Sequence, residues 1–327
     1  MGRLLTVEGL TTEFTTERGV VRAVDNVSYN VEEGEVLGLV GESGCGKSVS
    51  QLSLMQLVAT PPGRIVSGTA EFEGIDLFNF KRNSKEMCSI RGRRISMIFQ
   101  EPMTSLNPAM TIVKQMYEVL KIHMGLGKYE ARERAIDMLE QVGVPDPAKR
   151  ADDYPHQLSG GMHQRVMIAM AVLCSPKLII ADEATTALDA TIQAQILELL
   201  YDIVDKYQTA LVMVTHNLGV IARYAQRINV MYAGRIVETG TVKEIWANPM
   251  HPYTEGLISC VPKLDSVLEP IGGMPPTLIN RPPTCAFLAR CKYRQDSCFN
   301  DPVADLTYID DLHATSCNIR LKEAGRI

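Results

Sequence analysis

Short apolar runs alternate with amphipathic stretches over residues 1–240 of the chain. The runs with almost no polar interruption predict strands buried on both faces of a sheet, at residues 36–40, 94–99, 178–183, 211–216 and 228–232. We expect the last of these to be the final strand of the core. Helices are predicted over residues 48–58, over 111–142 and, from an amphipathic pattern, over 191–207. Residues 166–173 are apolar on all sides and predict a buried helix. Strands that alternate with helices predict an α/β fold built on a parallel sheet.

Three regions depart from this alternation. Residues 4–10, 20–31 and 65–74 are rich in β-branched side chains and predict an antiparallel β region. The helical pattern at 111–142 follows a segment with two prolines, 101–108, and predicts an inserted helical subdomain. Prolines crowd residues 249–283, which predicts a separate, loop-rich C-terminal region.

The first buried run leads directly into a glycine-rich segment, GESGCGKS, at residues 41–48. This segment fits the phosphate-loop pattern G-x-x-x-x-G-K-[ST] at every fixed position. Gly41, Gly44 and Gly46 let backbone N–H groups turn inward around phosphate oxygens, beside a helix N-terminus that attracts negative charge. Lys47 can reach the terminal phosphates, and the Ser48 hydroxyl can ligate Mg²⁺. The sequence therefore predicts that the chain binds a nucleoside triphosphate.

Polar residues stand where the later apolar runs end. Because ligands bind at the carboxyl ends of parallel strands, we expect these side chains to surround the phosphates. Asp182 and Gln100 can hold or sense Mg²⁺, and Glu183 can orient or deprotonate the attacking water. His216 can contact the γ-phosphate, and Phe14 offers a ring on which an adenine could stack. Taken singly, each of them also fits a purely structural role.

Composition narrows the function further. A chain of 327 residues with 46% hydrophobic content can bury a large core, and a formal net charge of −5 argues against a nucleic-acid partner. No apolar run approaches the roughly 18 residues needed to span a bilayer. The N-terminus lacks a secretory pattern. Because the predicted nucleotide site is that of an intracellular protein, we expect a reducing compartment.

Seven motifs in this order resemble the ATP-binding-cassette (ABC) ATPases. They are Phe14 at the adenine-stacking position, 41–48 as Walker A, Gln100 as the Q-loop, LSGG at 158–161 as the signature, 178–183 as Walker B, 187–189 as the D-loop and His216 as the H-loop. The resemblance implies a P-loop, RecA-like core with an antiparallel β region over residues 1–101 and 159–240. It also implies a helical subdomain over 102–158 and a small, cysteine-containing C-terminal region over 241–327.

The same resemblance implies a role for each site residue. Two ATP molecules would lie between two such subunits arranged head to tail. The ATP-binding residues would be Phe14, Gly41, Glu42, Ser43, Gly44, Cys45, Gly46, Lys47, Ser48, Val49 and Asp189, with Ser159, Gly160 and Gly161 facing the ATP of the other subunit. Catalysis would depend on Lys47, Gln100, Glu183 and His216, and Mg²⁺ would be held by Ser48, Gln100 and Asp182.

Other stretches resemble the ATPases of oligopeptide and dipeptide importers, and among them the D-type subunit. These stretches are 40–44, 99–108, 154–158 and 251–254. The resemblance implies an F-type partner ATPase or a homodimer, two membrane permeases contacted by the segment after Gln100, and a separate extracytoplasmic binding protein. The chain would then lie on the cytoplasmic face of the cell membrane. The cargo stays open, because related ATPases serve nickel, glutathione, opines and oligosaccharides.

The chain departs from the family pattern at three positions. Met162 replaces the glutamine of the signature, and Ala184 replaces the proline that usually follows the Walker B glutamate. Alanine keeps its N–H and loosens the backbone, so we expect little effect. Cys45 stands where serine is common. A thiol beside a helix N-terminus is either an activated group or a passive small residue, and we favour the passive residue.

Four of the eight cysteines crowd into the C-terminal region. Cys285, Cys291, Cys298 and Cys317 have the spacing C-x5-C-x6-C-x18-C, which differs from the paired pattern of a zinc ribbon. Four thiols this close in a reducing compartment favour a metal. Peptide-importer ATPases carry a similar set, which holds a [4Fe–4S] cluster in some members. We therefore predict an iron–sulfur cluster, with zinc, a disulfide or no metal as alternatives.

Two other classes of protein make different predictions. A soluble ABC ATPase acting on translation or DNA repair would carry two tandem cassettes or a long coiled-coil insertion, and the sequence has neither. A regulatory module without turnover would have lost the Walker B glutamate or the H-loop histidine, yet Glu183 and His216 are both present. The ATPase of an importer is the better hypothesis.

Overall fold

The computed structural model describes residues 2–100, 105–184, 189–262 and 270–327. The chain forms two compact units, each assembled from separate stretches. The first contains residues 33–35 and 80–212, and the second contains 2–32, 36–79 and 213–327.

The secondary structure alternates between strands and helices along most of the chain. The strands are β1 (Arg3–Thr16), β2 (Gly19–Glu32), β3 (Val36–Val40), β4 (Gly63–Phe72), β5 (Ile75–Asp76), β6 (Ile95–Ile98), β7 (Leu178–Asp182), β8 (Ala210–Thr215), β9 (Arg227–Tyr232), β10 (Arg235–Thr241), β11 (Thr307–Tyr308) and β12 (Ala314–Thr315). The helices are α1 (Lys47–Leu54), α2 (Lys85–Ile90), α3 (Ile112–Met124), α4 (Lys128–Gln141), α5 (Pro147–Arg150), α6 (Gly160–Val172), α7 (Ala190–Tyr207), α8 (Leu218–Tyr224), α9 (Val242–Ala247), α10 (Pro252–Ser259), α11 (Ser297–Asn300) and α12 (Asn318–Glu323).

An antiparallel sheet with the order β2-β1-β4-β5 belongs to the second unit. Apolar side chains along β1 and β2 are fully buried, among them Leu5, Leu10, Val24 and Val31. The loose alternation in the sequence predicted this antiparallel region, and the structure confirms it. Strand β1 runs six residues beyond its predicted end, whereas the ends of β2 and β4 lie within two residues of the predicted bounds.

The second unit also contains a mixed group of strands. β3 and β9 pair in parallel, and β10, β12 and β11 follow β9 with antiparallel pairing throughout. The prediction that residues 228–232 form the final core strand is therefore wrong. Ala233 and Gly234 connect β9 to β10 with φ values of 47° and 85°. Two consecutive left-handed residues form the tight turn that antiparallel hairpins prefer, so the chain folds straight back into the sheet.

The first unit contains the parallel pair β6 and β7, whose apolar residues are buried except for the half-buried Met97. The helical pattern predicted over 111–142 is two helices, α3 and α4, because Gly125 ends α3 in a left-handed conformation with φ 69°. Helix α6 buries side chains around its whole circumference, including Val166, Met167 and Ile168. This confirms the prediction of a buried helix from a segment that is apolar on all sides. The predicted α/β class is thus observed.

Candidate functional site

The phosphate-loop segment connects β3 to α1 in the second unit. Every residue of β3 is buried, and α1 begins at Lys47 after Gly46, which has φ 105°. A side chain at Gly41 or Gly46 would not fit. A Cβ atom on Gly41 would lie 2.1 Å from the carbonyl oxygen of Met231, and one on Gly46 would lie 2.1 Å from that of Ala23. The loop therefore requires glycine at both positions for close approach of the backbone.

Lys47 points into the loop and is 4% exposed. Its ammonium group donates hydrogen bonds to the carbonyl oxygens of Gly41, at 2.8 Å, and Glu42, at 3.0 Å. Ser48 and Val49, on the first turn of α1, are half-buried, whereas Ser43 and Gly44 are exposed at the rim. A buried ammonium group beside the N-terminus of a helix, with an open rim of backbone, is the chemistry that phosphate oxygens need. The loop therefore fits a nucleotide.

Cys45 is 5% exposed within the same loop. Burial raises the pKa of its thiol, and the nearby charge of Lys47 only partly opposes this. A protonated, buried thiol is a poor nucleophile. These observations favour a passive small residue over an activated thiol.

Two other predicted site residues, one ATP-binding and one catalytic, belong to the second unit. Phe14 is half-buried on β1, opposite Val21 on β2 and Gly63 on β4. A Cβ atom on Gly63 would lie 2.8 Å from the Phe14 ring, so the ring packs over that glycine. His216 directly follows β8 and is exposed.

The first unit brings together two of the predicted catalytic residues. The Gln100 amide donates a hydrogen bond of 2.9 Å to the carboxylate of Glu183. Asp182, the last residue of β7, is 4% exposed. Glu183 has φ 46°, which is left-handed for a residue other than glycine. Neighbouring carboxylates on a strand end, one buried and one turned by its backbone, can divide metal binding and water activation between them.

The signature segment stands at the start of α6. Ser159 is the N-cap residue, and in the described part of the chain its hydroxyl makes no capping hydrogen bond. Instead, its carbonyl oxygen is 3.0 Å from Nδ1 of the buried His163. Ser159 and Gly160 are exposed, and Gly161 is half-buried. This exposed helix N-terminus has the donors of an anion site.

The D-loop aspartate caps the start of a helix. Asp189 is the N-cap of α7, and its carboxylate accepts hydrogen bonds from the N–H groups of Thr191 and Ile192. The preceding motif residues, 187 and 188, and the stretch 101–104 after Gln100 lie outside the described residues.

The prediction of a metal centre at the C-terminal cysteines is wrong. Cys285, Cys291, Cys298 and Cys317 line one cavity together with His251. Within residues 2–100, 105–184, 189–262 and 270–327, however, no three His, Cys, Asp or Glu side chains are arranged to hold a metal ion. The cavity has a volume of about 20 Å³, and all eight cysteines are free. Burial raises the pKa of Cys285 to about 11 and also raises the pKa values of Cys291 and Cys317.

The C-terminal region is packed around a buried aromatic side chain. Phe287 is 3% exposed, and its ring lies 5.3 Å from that of Tyr232, 5.5 Å from that of Tyr253 and 5.9 Å from that of His251. Strands β11 and β12 join the sheet at β10. Aromatic burial and strand pairing therefore hold this region.

Comparison with known proteins gives the same class. Residues 24–186 match the ABC transporter family, and residues 237–298 match the oligopeptide/dipeptide transporter C-terminal region. Among solved structures, the dimeric post-hydrolysis state of the ATP-binding cassette MJ0796, bound to ADP and Pi, is similar with a TM-score of 0.64. The two chains are 28% identical, and the matched region covers 73% of this chain and 98% of that chain.

The chain belongs to the ABC transporter family and is an ATP-hydrolysing subunit. Within that family it belongs with the ATP-binding subunits of oligopeptide and dipeptide transporters. It is 49% identical to the dipeptide transport ATP-binding protein DppD of Escherichia coli (strain K12), over 99% of this chain and 98% of that protein. It is also 47% identical to the oligopeptide transport ATP-binding protein AppD of Bacillus subtilis (strain 168), over 94% of each.

Proposed function

We propose that this chain hydrolyses ATP to power the import of dipeptides or oligopeptides. The observation that carries the proposal is the pairing of two matches in one chain. The ABC transporter match is followed by the C-terminal region found in oligopeptide/dipeptide transporters. Relatives named for dipeptide and oligopeptide transport are similar over nearly the full length. Residues 1–101 and 159–240 would form the nucleotide-binding core and 241–327 the C-terminal region.

The proposed division of labour follows the chemistry of each residue. Lys47 and the loop N–H groups bind the phosphates, and Phe14 stacks on the adenine. Glu183 orients or deprotonates the attacking water, and Gln100 holds that carboxylate in place. His216 contacts the γ-phosphate side. The remaining ATP contacts of this subunit would come from Gly41, Glu42, Ser43, Gly44, Cys45, Gly46, Ser48, Val49 and Asp189.

Ser48, Gln100 and Asp182 are the residues that would hold Mg²⁺. A hydroxyl, an amide oxygen and a carboxylate are the hard oxygen ligands that this ion prefers. When bound, the ion neutralises charge on the β- and γ-phosphates. The buried carboxylate of Asp182 fits such a role, because a carboxylate shielded from water is best stabilised by a cation.

The proposed assembly is a head-to-tail pair of ATPase subunits beneath two permeases. The exposed Ser159 and Gly160, with Gly161, would meet the ATP held by the other subunit. That other subunit would be an F-type ATPase or a second copy of this chain. The segment after Gln100 would contact the permeases. In the described part of the chain, no helix is both long and apolar enough to cross a membrane.

In this proposal the chain lies at the cytoplasmic face of the cell membrane, and an extracytoplasmic binding protein delivers the cargo. The experiment that tests it is uptake into proteoliposomes containing this chain, its partner ATPase, both permeases and the binding protein. Internal ATP should drive accumulation of a labelled dipeptide, and Glu183→Gln should stop it. Uptake of nickel or glutathione in place of any peptide would overturn the cargo assignment.

A further inference from the structure

The second residue of the phosphate loop is held by side chains from the C-terminal region. The guanidinium group of Arg290 forms two parallel hydrogen bonds to the carboxylate of Glu42, with N–O distances of 2.7 and 2.9 Å. The backbone N–H of Glu42 donates to the hydroxyl of Tyr253 at 2.8 Å. Both partners lie more than 200 residues further along the chain. Two-pronged bonds between an arginine and a carboxylate fix geometry as well as adding energy.

Both anchoring side chains are themselves rigidly held. The Arg290 side chain is 4% exposed, and it donates to the carbonyl oxygens of Gly272, at 2.9 Å, and Ile271, at 3.2 Å. Tyr253 is fully buried, and its ring centre lies 4.5 Å from that of Tyr232. Because neither side chain can swing freely, Glu42 is fixed in one position.

Glu42 also holds the catalytic lysine of the loop. Its carbonyl oxygen accepts a hydrogen bond from the Lys47 ammonium group at 3.0 Å and from the N–H of Cys45 at 3.3 Å. The carboxylate, the N–H and the carbonyl of one residue thus link the C-terminal region to Lys47. A shift of Glu42 would move the carbonyl that Lys47 contacts.

We propose that Arg290 and Tyr253 are positioning residues for the phosphate loop, so that the C-terminal region sets the affinity for nucleotide phosphates. Both residues fall inside the match to the oligopeptide/dipeptide transporter C-terminal region and outside the match to the ABC transporter family. The inference rests on the proposed role of the loop in binding phosphates. It adds that loop geometry in this chain depends on residues outside the ATPase core.

The test is a double-mutant cycle on the full-length chain, with Arg290→Met, Glu42→Gln and the double variant. Isothermal titration gives the Kd for MgADP, and calorimetry gives Tm. Arg290→Lys keeps the charge but cannot form the two parallel hydrogen bonds to Glu42. Tyr253→Phe removes only the hydroxyl that accepts the hydrogen bond from the Glu42 N–H. Arg320→Met is the matched control, because Arg320 lies on α12 and pairs with Glu323 at 2.9 Å.

Arg290→Met should raise the Kd for MgADP about tenfold, and Arg290→Lys about threefold. The paired hydrogen bonds and the positive charge both contribute to holding Glu42, and lysine keeps only the charge. Glu42→Gln should match Arg290→Met, and the double variant should show no further loss, because each change removes the same interaction. Tyr253→Phe should weaken binding in the same direction, while Arg320→Met should leave the Kd unchanged.

The proposal is overturned if Arg290→Met leaves the Kd unchanged and lowers Tm equally in the wild-type and Glu42→Gln backgrounds. Arg290 would then only hold the C-terminal region together. If Arg290→Met does not fold, the Kd values of Arg290→Lys and Tyr253→Phe decide the question in its place. Wild-type protein that binds no MgADP would instead refute the proposed function. If wild-type protein binds MgADP and the variants bind it with the same Kd, this inference alone is refuted.

Discussion

The amide of Gln100 donates a 2.9 Å hydrogen bond to the carboxylate of Glu183, a residue 83 positions further along the chain. Each of the two follows one strand of the parallel pair β6 and β7. Glu183 adopts φ 46°, a left-handed conformation that costs a non-glycine residue roughly 1–2 kcal/mol. Such strain persists where the surrounding structure fixes it, and it is concentrated at functional sites. The pair therefore defines the position of the proposed catalytic base.

Replacing that carboxylate should separate binding from turnover. Glu183→Gln keeps the shape of the side chain but removes its capacity to take a proton. We expect phosphate release to fall by at least about 100-fold, the usual contribution of a general base. The Kd for MgATP should stay within about twofold of wild type, because the phosphate-binding groups are unchanged.

Glu130→Gln is the matched control, since Glu130 is exposed on the first turn of α4. It should leave phosphate release and nucleotide affinity unaltered. Near-normal phosphate release by Glu183→Gln would refute the assignment of Glu183 as the base.

A methyl group at Gly46 should disrupt the phosphate loop. Its Cβ would lie 2.1 Å from the carbonyl oxygen of Ala23, so the backbone must move. Gly125→Ala is the matched control, because Gly125 also has positive φ, 69°, but has open space around it. Urea unfolding should show a loss of roughly 1–2 kcal/mol for Gly125→Ala, from backbone strain alone. Gly46→Ala should lose more stability than that and should fail to bind MgADP. Equal losses for the two variants would contradict the crowding argument.

The sequence predicts the parts of the structure that short-range patterns determine. Buried runs gave β3, β6, β7, β8 and β9 to within one or two residues, because a strand covered on both faces needs continuous apolar side chains. The phosphate loop was readable for a similar reason, since its glycines and lysine have fixed spacing. The placement of Gln100 and Glu183 at neighbouring strand ends follows from parallel pairing.

Long-range contacts in the C-terminal region could not be read in the same way. Strands β11 and β12 are two residues long each, too short to show alternation. The spacing of the cysteines indicated proximity, and they do line one cavity, but spacing carries no information on coordination geometry. Arg290 gave no local signal, because its partner Glu42 is 248 residues away.

Removing the central ring of the C-terminal aromatic cluster should destabilise the protein strongly. Phe287 is 3% exposed and packs against Tyr232, Tyr253 and His251. Phe287→Ala should lower the free energy of unfolding by about 3–5 kcal/mol, through lost burial and the cavity left behind. Phe299→Ala is the control from the same region, because Phe299 is 54% exposed on α11. It should change stability by less than about 0.5 kcal/mol. Equal effects would mean that packing at Phe287 does not hold the region.

Two buried histidines should give the stability of the protein opposite dependences on pH. Burial lowers the pKa of His251 to about 4, and its Nδ1 accepts a hydrogen bond from the N–H of Tyr253. Burial also acts to lower the pKa of His313, but its contact with the carboxylate of Glu238, at 2.7 Å, outweighs this and raises it. In the unfolded chain, both histidines have the ordinary pKa of 6.5.

Each histidine stabilises the fold over the pH range in which its protonation state is the one that the folded chain prefers. Because the unfolded chain protonates His251 first, the contribution of His251 falls as pH drops from 6.5 towards 4, by up to about 3 kcal/mol. The folded state holds the proton of His313 more tightly. The contribution of His313 is therefore fully present below pH 6.5 and is lost as pH rises through its raised pKa.

Urea unfolding of wild type, His251→Gln and His313→Gln between pH 4.5 and 8.5 measures both effects. Relative to wild type, the deficit of His251→Gln should shrink as pH falls below 6.5, because wild type alone loses the neutral imidazole. The deficit of His313→Gln should be largest in acid and should shrink as pH rises, because the ion pair with Glu238 disappears from wild type. If the free energies of unfolding of both variants changed with pH in parallel with that of wild type, neither histidine would have a different pKa in the folded and unfolded states, and the prediction would be wrong.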